Sequence, residues 1–278
     1  NSFTITSFDN KFIDNDKVNC ILSDKNGNIW IGTSNNGLLK VNTETYEFEH
    51  YSKDQTSKLP LRNNSIINLY EDKQGRIWFT SWKSEMGFIS KDRKTVNYAP
   101  KIGVYNNPFR IFQDKIGDIW VCTWGDGVYK LKVENNSSMT FTPIIIESEN
   151  SNAGKIVYSI TQDDKFGYIW MISTNGLLIL EETARGKYHV VDNNNFIQNY
   201  NSTLFHDIIK DRKGNLWLGS ISEGAFRLEF KVNAINYFPA MDNELSTIKQ
   251  ANVTNACILN NNTFLLGVNS VGLFRFDS

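Results

Sequence analysis

Seven tryptophans punctuate the 278-residue chain, and two of them stand outside the pattern that the other five obey. Trp30, Trp78, Trp120, Trp170 and Trp217 each follow a glycine by three residues. Trp82 and Trp124 each lie four residues beyond such a tryptophan, where Ser34, Thr174, Ile221 and Asn269 stand in the other copies. Two indoles in equivalent loops offer flat, amphipathic faces of the kind that stack on a sugar ring. The competing reading is that both fold down as lids over the elements beneath them.

Polar groups near the same loops would complete such a site. Arg62, Tyr105, Asp126 and Glu223 fall in loops that vary from copy to copy. Charged loop residues are ordinarily just solvated, so each alone means little. Arg110 and Asp207 are less ordinary, because they interrupt apolar strand-like runs. The same place is held by Cys20, Asn68, Ile160 and Cys257 elsewhere. A charge inside a buried strand needs a partner, a water or a ligand. An internal ion pair or water network competes with a ligand contact here.

Several chemistries find no residues to carry them. The chain has no Gly-x-Ser-x-Gly elbow, Walker loop or Gly-x-Gly-x-x-Gly, so no catalytic group and no cofactor is expected. The three histidines, His50, His189 and His206, form no metal-spaced pair, and no metal site is expected. His206 beside Asp207 is the one thin candidate for acid–base or metal work. A formal net charge of −1 gives no broad field for nucleic acid. Three widely spaced cysteines are not a disulfide framework, and Cys20 and Cys257 are expected as buried free thiols.

The elements that must hold these residues are repeats. Asp24-Lys-Asn-Gly27-Asn-Ile-Trp30 returns at Asp72–Trp78, Asp114–Trp120, Asp164–Trp170 and Asp211–Trp217. A worn sixth copy carries Leu265 in place of the tryptophan, and the five intervals average 47 residues. A second glycine, usually seven residues on, recurs at Gly37, Gly87, Gly127, Gly176, Gly224 and Gly272.

An apolar run, an Asp-x-x-Gly turn, an Ile-Trp strand, a loop to the second glycine and two further strands make one antiparallel unit. Four short strands per repeat of this length describe a propeller blade. The expectation is therefore an all-β protein: a six-bladed β-propeller of four-stranded antiparallel blades, forming one domain over residues 1–278. The last copy stops after its third strand, and Phe3-Thr-Ile5-Thr-Ser-Phe8 reads as a strand without a blade. Pairing the two would close the ring and remove an exposed sheet edge.

The run Val18–Leu38 resembles the two-component regulator propeller repeat, and Ile111–Thr123 and Ile208–Gly219 carry it nearly as well. That resemblance implies a ligand-binding sensor module from the periplasmic part of a hybrid two-component system. It implies an oligosaccharide or other polysaccharide-derived ligand and no catalysis in the sensor region, with the signal passing to a kinase elsewhere. A neighbouring propeller, an immunoglobulin-like domain or a second copy as a homodimer would be its partners. Two alternatives stand beside it. One is a protein-interaction scaffold. The other is a propeller enzyme, since Gly75-Arg-Ile-Trp-Phe-Thr80 is also similar to the repeats of streptogramin lyases.

Overall fold

The Asp-x-x-Gly turns are the local seeds of the structure. In the first, one carboxylate oxygen of Asp24 accepts the amides of Asn26 and Asn28 at 3.0 and 2.9 Å. Gly27 sits at φ +80°, a conformation that a side chain would disfavour. The turn then hands the chain to a strand whose tryptophan is fully buried.

The computed structural model describes residues 16–135, 138–148, 153–191, 204–229, 234–238, 253–258, 263–268 and 272–277. The chain divides at residues 142/143 into two compact units. In the first unit, β1 (Val18–Ser23), β2 (Asn28–Thr33), β3 (Leu38–Asn42) and β4 (Phe48–Tyr51) form one antiparallel sheet in sequence order. The same order recurs in β5 (Ile66–Glu71), β6 (Ile77–Ser81), β7 (Met86–Ile89) and β8 (Val96–Tyr98). It recurs again in β9 (Pro108–Gln113), β10 (Ile119–Thr123), β11 (Val128–Asn135) and β12 (Ser138–Pro143).

The second unit begins with β13 (Ile145–Glu147), followed by β14 (Val157–Gln162), β15 (Ile169–Ser173), β16 (Gly176–Ala184) and β17 (Lys187–Val191). These form one sheet, in which β13 pairs in parallel with the outermost strand β17. Next come β18 (Phe205–Lys210), β19 (Leu216–Ser220), β20 (Ala225–Glu229) and β21 (Ala234–Phe238). The last sheet holds β22 (Val253–Ile258), β23 (Thr263–Val268) and β24 (Gly272–Asp277).

The fold is an all-β propeller type, built of small antiparallel sheets that follow one another along the chain. The expectation of six four-stranded blades needs correction. Five sheets reach four strands, one of them with β13 as a fifth, and the last has three among the described residues. The strand expected at Phe3–Phe8 to close the ring lies outside the described residues.

Packing between successive sheets follows from the repeat. Trp30, Leu38 and Tyr51 pack against Ile66, Ile77 and Phe79 of the next sheet. Trp78 and Phe88 pack against Ile111, Val121 and Leu131. In the second unit Trp170 and Ile179 pack against Ile208, Leu218 and Phe226. Truncating one such tryptophan would cost about 3–5 kcal/mol.

Each motif indole, four of them fully buried and Trp217 partly so, has a fixed acceptor, because a donor-only N–H is costly to leave unmade inside a core. Asp24, Asp72 and Asp114 accept the indole N–H of Trp30, Trp78 and Trp120, each at 2.8 Å. Asp211 accepts that of Trp217 at 3.0 Å. In the fourth blade the acceptor is Asp163 at 2.9 Å, and not Asp164. Its turn carries one residue more than the others, so the spacing that aligned Asp164 placed the motif one residue late.

Side chains also stitch neighbouring blades. Lys25 Nζ donates to the carbonyl of Asp72 at 2.8 Å, and Lys73 Nζ to that of Asp114 at 3.0 Å. In the second unit Lys210 Nζ reaches Asp164 at 2.9 Å.

Candidate functional site

Each first strand slips by one residue near its start. The pairing register shifts between Val18 and Cys20, Ile66 and Asn68, Val157 and Ser159, and Phe205 and Asp207. In the third blade the slip falls opposite Cys122 and Thr123, so that Phe109 is the extra residue. A bulge of this kind re-aims the extra side chain. Asn19, Ile67, Phe109, Tyr158 and His206 occupy that place. The sequence offers no obvious sign of the bulge, which appears only in cross-strand pairing.

Phe109 becomes the third member of an aromatic group. The rings of Trp82 and Trp124 lie 5.3 Å apart with their planes at 75°. Phe109 stands 5.3 Å from Trp124 and 6.2 Å from Trp82. Trp82 extends from the β6–β7 loop and Trp124 from the β10–β11 loop. Trp82 keeps 37% of its surface exposed, whereas Trp124 and Phe109 are half-buried. Perpendicular indoles make a corner, not the flat two-ring platform that their matching positions predict. One face can take a ring, and the second indole then flanks it.

The connection from β8 to β9 borders this corner. Asp126, two residues beyond Trp124, accepts the amides of Val104 and Tyr105 at 3.0 and 2.8 Å. Gly103 has φ +61°, and a Cβ there would collide with the Asp126 carboxyl. The Tyr105 ring lies against Gly125. Asp126 therefore holds the loop that presents Tyr105, which stays 70% exposed.

Arg62 reaches the other side of the Trp82 loop. Its guanidinium stands 4.1 Å over the ring of Tyr98 and pairs with Glu85 at 3.1 Å. Glu85 belongs to the same β6–β7 loop as Trp82. The Tyr98 hydroxyl accepts the amide of Arg62 at 2.8 Å. Arg62 is largely solvated and Glu85 partly so, so the pair positions Arg62 more than it stabilises the fold.

The remaining expected residues are interior or lie in the second unit. Arg110 is half-buried in β9 opposite Cys122. Burial pushes the Cys20 thiol up to about 12, with the positive field of Arg110 opposing the rise. The same balance raises Cys122 well above the usual thiol range. Cys20 and Cys122 are free and buried.

Asp207 is buried in β18, where one oxygen accepts the Ser159 hydroxyl across the blade seam and its own neighbouring amide, of Ile208, at 2.9 Å. Glu223 is exposed in the β19–β20 loop, and its amide donates to Ser220 Oγ at 2.7 Å. His206 stacks on Tyr158 with centroids 5.3 Å apart.

The shared first-strand place also needs correction in two blades. Cys20, Asn68, Arg110 and Asp207 are equivalent, each facing the second residue after the motif tryptophan. In the fourth blade Ser159 faces Ile172, so Ser159 fills that place and Ile160 does not. In the last blade Asn255 faces Gly267, so Cys257 is not the counterpart of Cys20. The Cys257 side chain lies outside the described ones. Phe109, Tyr98 and Glu85 were not legible as site residues. Only the bulge and the cross-loop contacts reveal them.

Serial antiparallel blades, an Asp–Trp lock in five of them and variable aromatic loops define a repeat-built β-propeller. Residues 12–35 and 60–83 match the model of the two component regulator propeller family. No curated protein matches the sequence significantly.

Among solved structures, the chain resembles the extracellular domain of the hybrid two component system BT4673 from B. thetaiotaomicron. The two share 17% identity at a TM-score of 0.68, over 94% of this chain and 35% of that one. The corresponding domain of BT3049 from the same organism gives 16% identity and a TM-score of 0.67, over 94% and 33%. Virginiamycin B lyase from Staphylococcus aureus gives 18% identity and a TM-score of 0.64, over 94% and 80%. The chain thus spans about a third of the length of those two extracellular domains. At these identities the likeness is one of fold.

Proposed function

We propose that this chain is a ligand-binding sensor propeller from the periplasmic region of a hybrid two-component system. It binds a polysaccharide-derived oligosaccharide at the corner formed by Trp82 and Trp124, and the signal passes to a kinase elsewhere in a longer protein. A neighbouring propeller, an immunoglobulin-like domain or a second copy of the chain receives that signal.

One observation carries the reading. Two indoles from equivalent loops of successive blades meet at 5.3 Å, with Trp82 partly open to solvent. The four other copies have no aromatic residue there. Sugar rings present an apolar C–H face and a polar rim, which suits an indole face flanked by donors and acceptors. Arg62, paired with Glu85 of the Trp82 loop, and the exposed Tyr105, whose ring lies against Gly125 beside Trp124, would supply such groups. Because the indoles are perpendicular, one sugar unit is stacked and its neighbours contact the loops.

The test is calorimetric titration against oligosaccharides from plant, animal and bacterial polysaccharides, with products followed by chromatography. Saturable binding without turnover is the expected result. Turnover would favour an enzyme, the alternative raised by the likeness in fold to virginiamycin B lyase. No binding to any member of the panel would favour a protein-interaction scaffold.

A further inference from the structure

The structure assigns a positioning role to Asn107, a buried residue that ties both tryptophan loops to one point. Its side-chain oxygen accepts the amide of Lys83 at 3.0 Å. Its main-chain carbonyl accepts the amide of Trp124 at 2.9 Å. Lys83 directly follows Trp82, and Trp124 is the facing indole.

The two bonds differ in kind. The main-chain bond is a feature of the repeat. Ser34, Thr174 and Ile221, the counterparts of Trp124, donate in the same way to Lys17, Ile156 and Leu204 at the head of their own blades. The bond from Lys83 to the Asn107 side chain crosses between two successive blades.

That second bond secures a turn that would otherwise drift. Lys83 holds φ +50°, in the left-handed region that a lysine seldom adopts. The Ser84 amide reaches the Ser81 carbonyl at 3.3 Å, a long closure for the turn. Asn107 supplies the stronger restraint from outside. It is itself held extended by Pro108, since the residue before a proline is barred from the helical region.

The Trp82–Trp124 corner is therefore formed before any ligand arrives, and binding needs no loop ordering. Pre-formed sites bind more tightly because less freedom is lost on association. The link to affinity rests on the oligosaccharide reading above. The placement of the indoles does not.

Two readouts separate these parts. Two indoles in contact give a coupled exciton band in far-ultraviolet circular dichroism, measured on the free protein. Trp82→Phe and Trp124→Phe, each abolishing the band, assign it to the pair. Asn107→Leu, which keeps the shape but loses the acceptor, is expected to collapse the band while the chain stays folded in a thermal melt. Asn107→Asp, which keeps an acceptor oxygen, is expected to retain it. Should Asn107→Leu fail to fold, Asn107→Ser, too short to reach Lys83, replaces it.

With an oligosaccharide identified, the acceptor-less variant is expected to bind about tenfold more weakly. A full exciton band in a folded Asn107→Leu or Asn107→Ser would overturn the positioning role, whether or not any sugar binds. A collapsed band with unchanged affinity would overturn the claim that the corner must be pre-formed.

Discussion

The carboxylate of Asp163, and not that of Asp164, accepts the indole N–H of Trp170 at 2.9 Å. Asp163 also accepts the amides of Phe166, Gly167 and Tyr168, whereas Asp164 is about half exposed and pairs with Lys210. Asp163→Ala would leave a buried indole and three turn amides without their acceptor. It is expected to lower stability by about 2–4 kcal/mol in urea unfolding. Asp164→Ala removes a surface ion pair and is expected to change stability by no more than about 1 kcal/mol. The reverse order would restore the register expected from spacing.

Replacing Trp82 and Trp124 together by alanine is expected to abolish oligosaccharide binding. Neither belongs to the tryptophan core between blades, so the far-ultraviolet spectrum of the strands should survive. A modest loss of stability, on the order of 1–2 kcal/mol, follows from the contact they lose with Phe109. Unchanged affinity in the double variant would remove the corner from the site.

The turn aspartates make stability depend on acid. Burial alone would raise the Asp24 carboxyl, but hydrogen bonds from Trp30, Asn28 and Asn26 outweigh it and hold the group below its ordinary range. Asp211 is held low in the same way by Trp217, Asn215 and Lys213. A carboxyl held lower in the folded than in the unfolded chain stabilises above the unfolded value, about 3.9, and loses that contribution as pH falls through the folded one. The urea midpoint should be flat near neutrality and fall below about pH 4. Asp24→Asn should flatten that fall, which pH-dependent unfolding would measure.

The interior cysteines should be inert in the folded chain. With the Cys20 thiol pushed up to about 12, almost no thiolate exists at pH 8. In a Cys257→Ser background, a soluble disulfide reagent is expected to label neither Cys20 nor Cys122 until urea unfolds the chain. Rapid labelling of either in the native state would mean that the blade interior opens locally.

Much of this was written in the spacing of a few residues. Asp, Gly and Trp at fixed intervals specify a turn, a strand and a buried indole, and all three act within about ten residues of chain. Trp82 and Trp124 stand out for the same reason, because a repeat makes every departure from it visible. Spacing could not choose between Asp163 and Asp164, since both reach the same turn and only the packed indole selects one.

Nor could spacing show the bulge that releases Phe109, the perpendicular setting of the two indoles, or the bond from Lys83 to Asn107. The bulge lies in the pairing of two strands of one blade, and the other two relationships join loops of different blades, 24 or more residues apart in the chain. The sequence by itself determined the blade and marked the loops that differ. The tertiary structure decided how those loops meet, because contacts across a blade seam depend on side-chain direction and strand register, which a repeat does not encode.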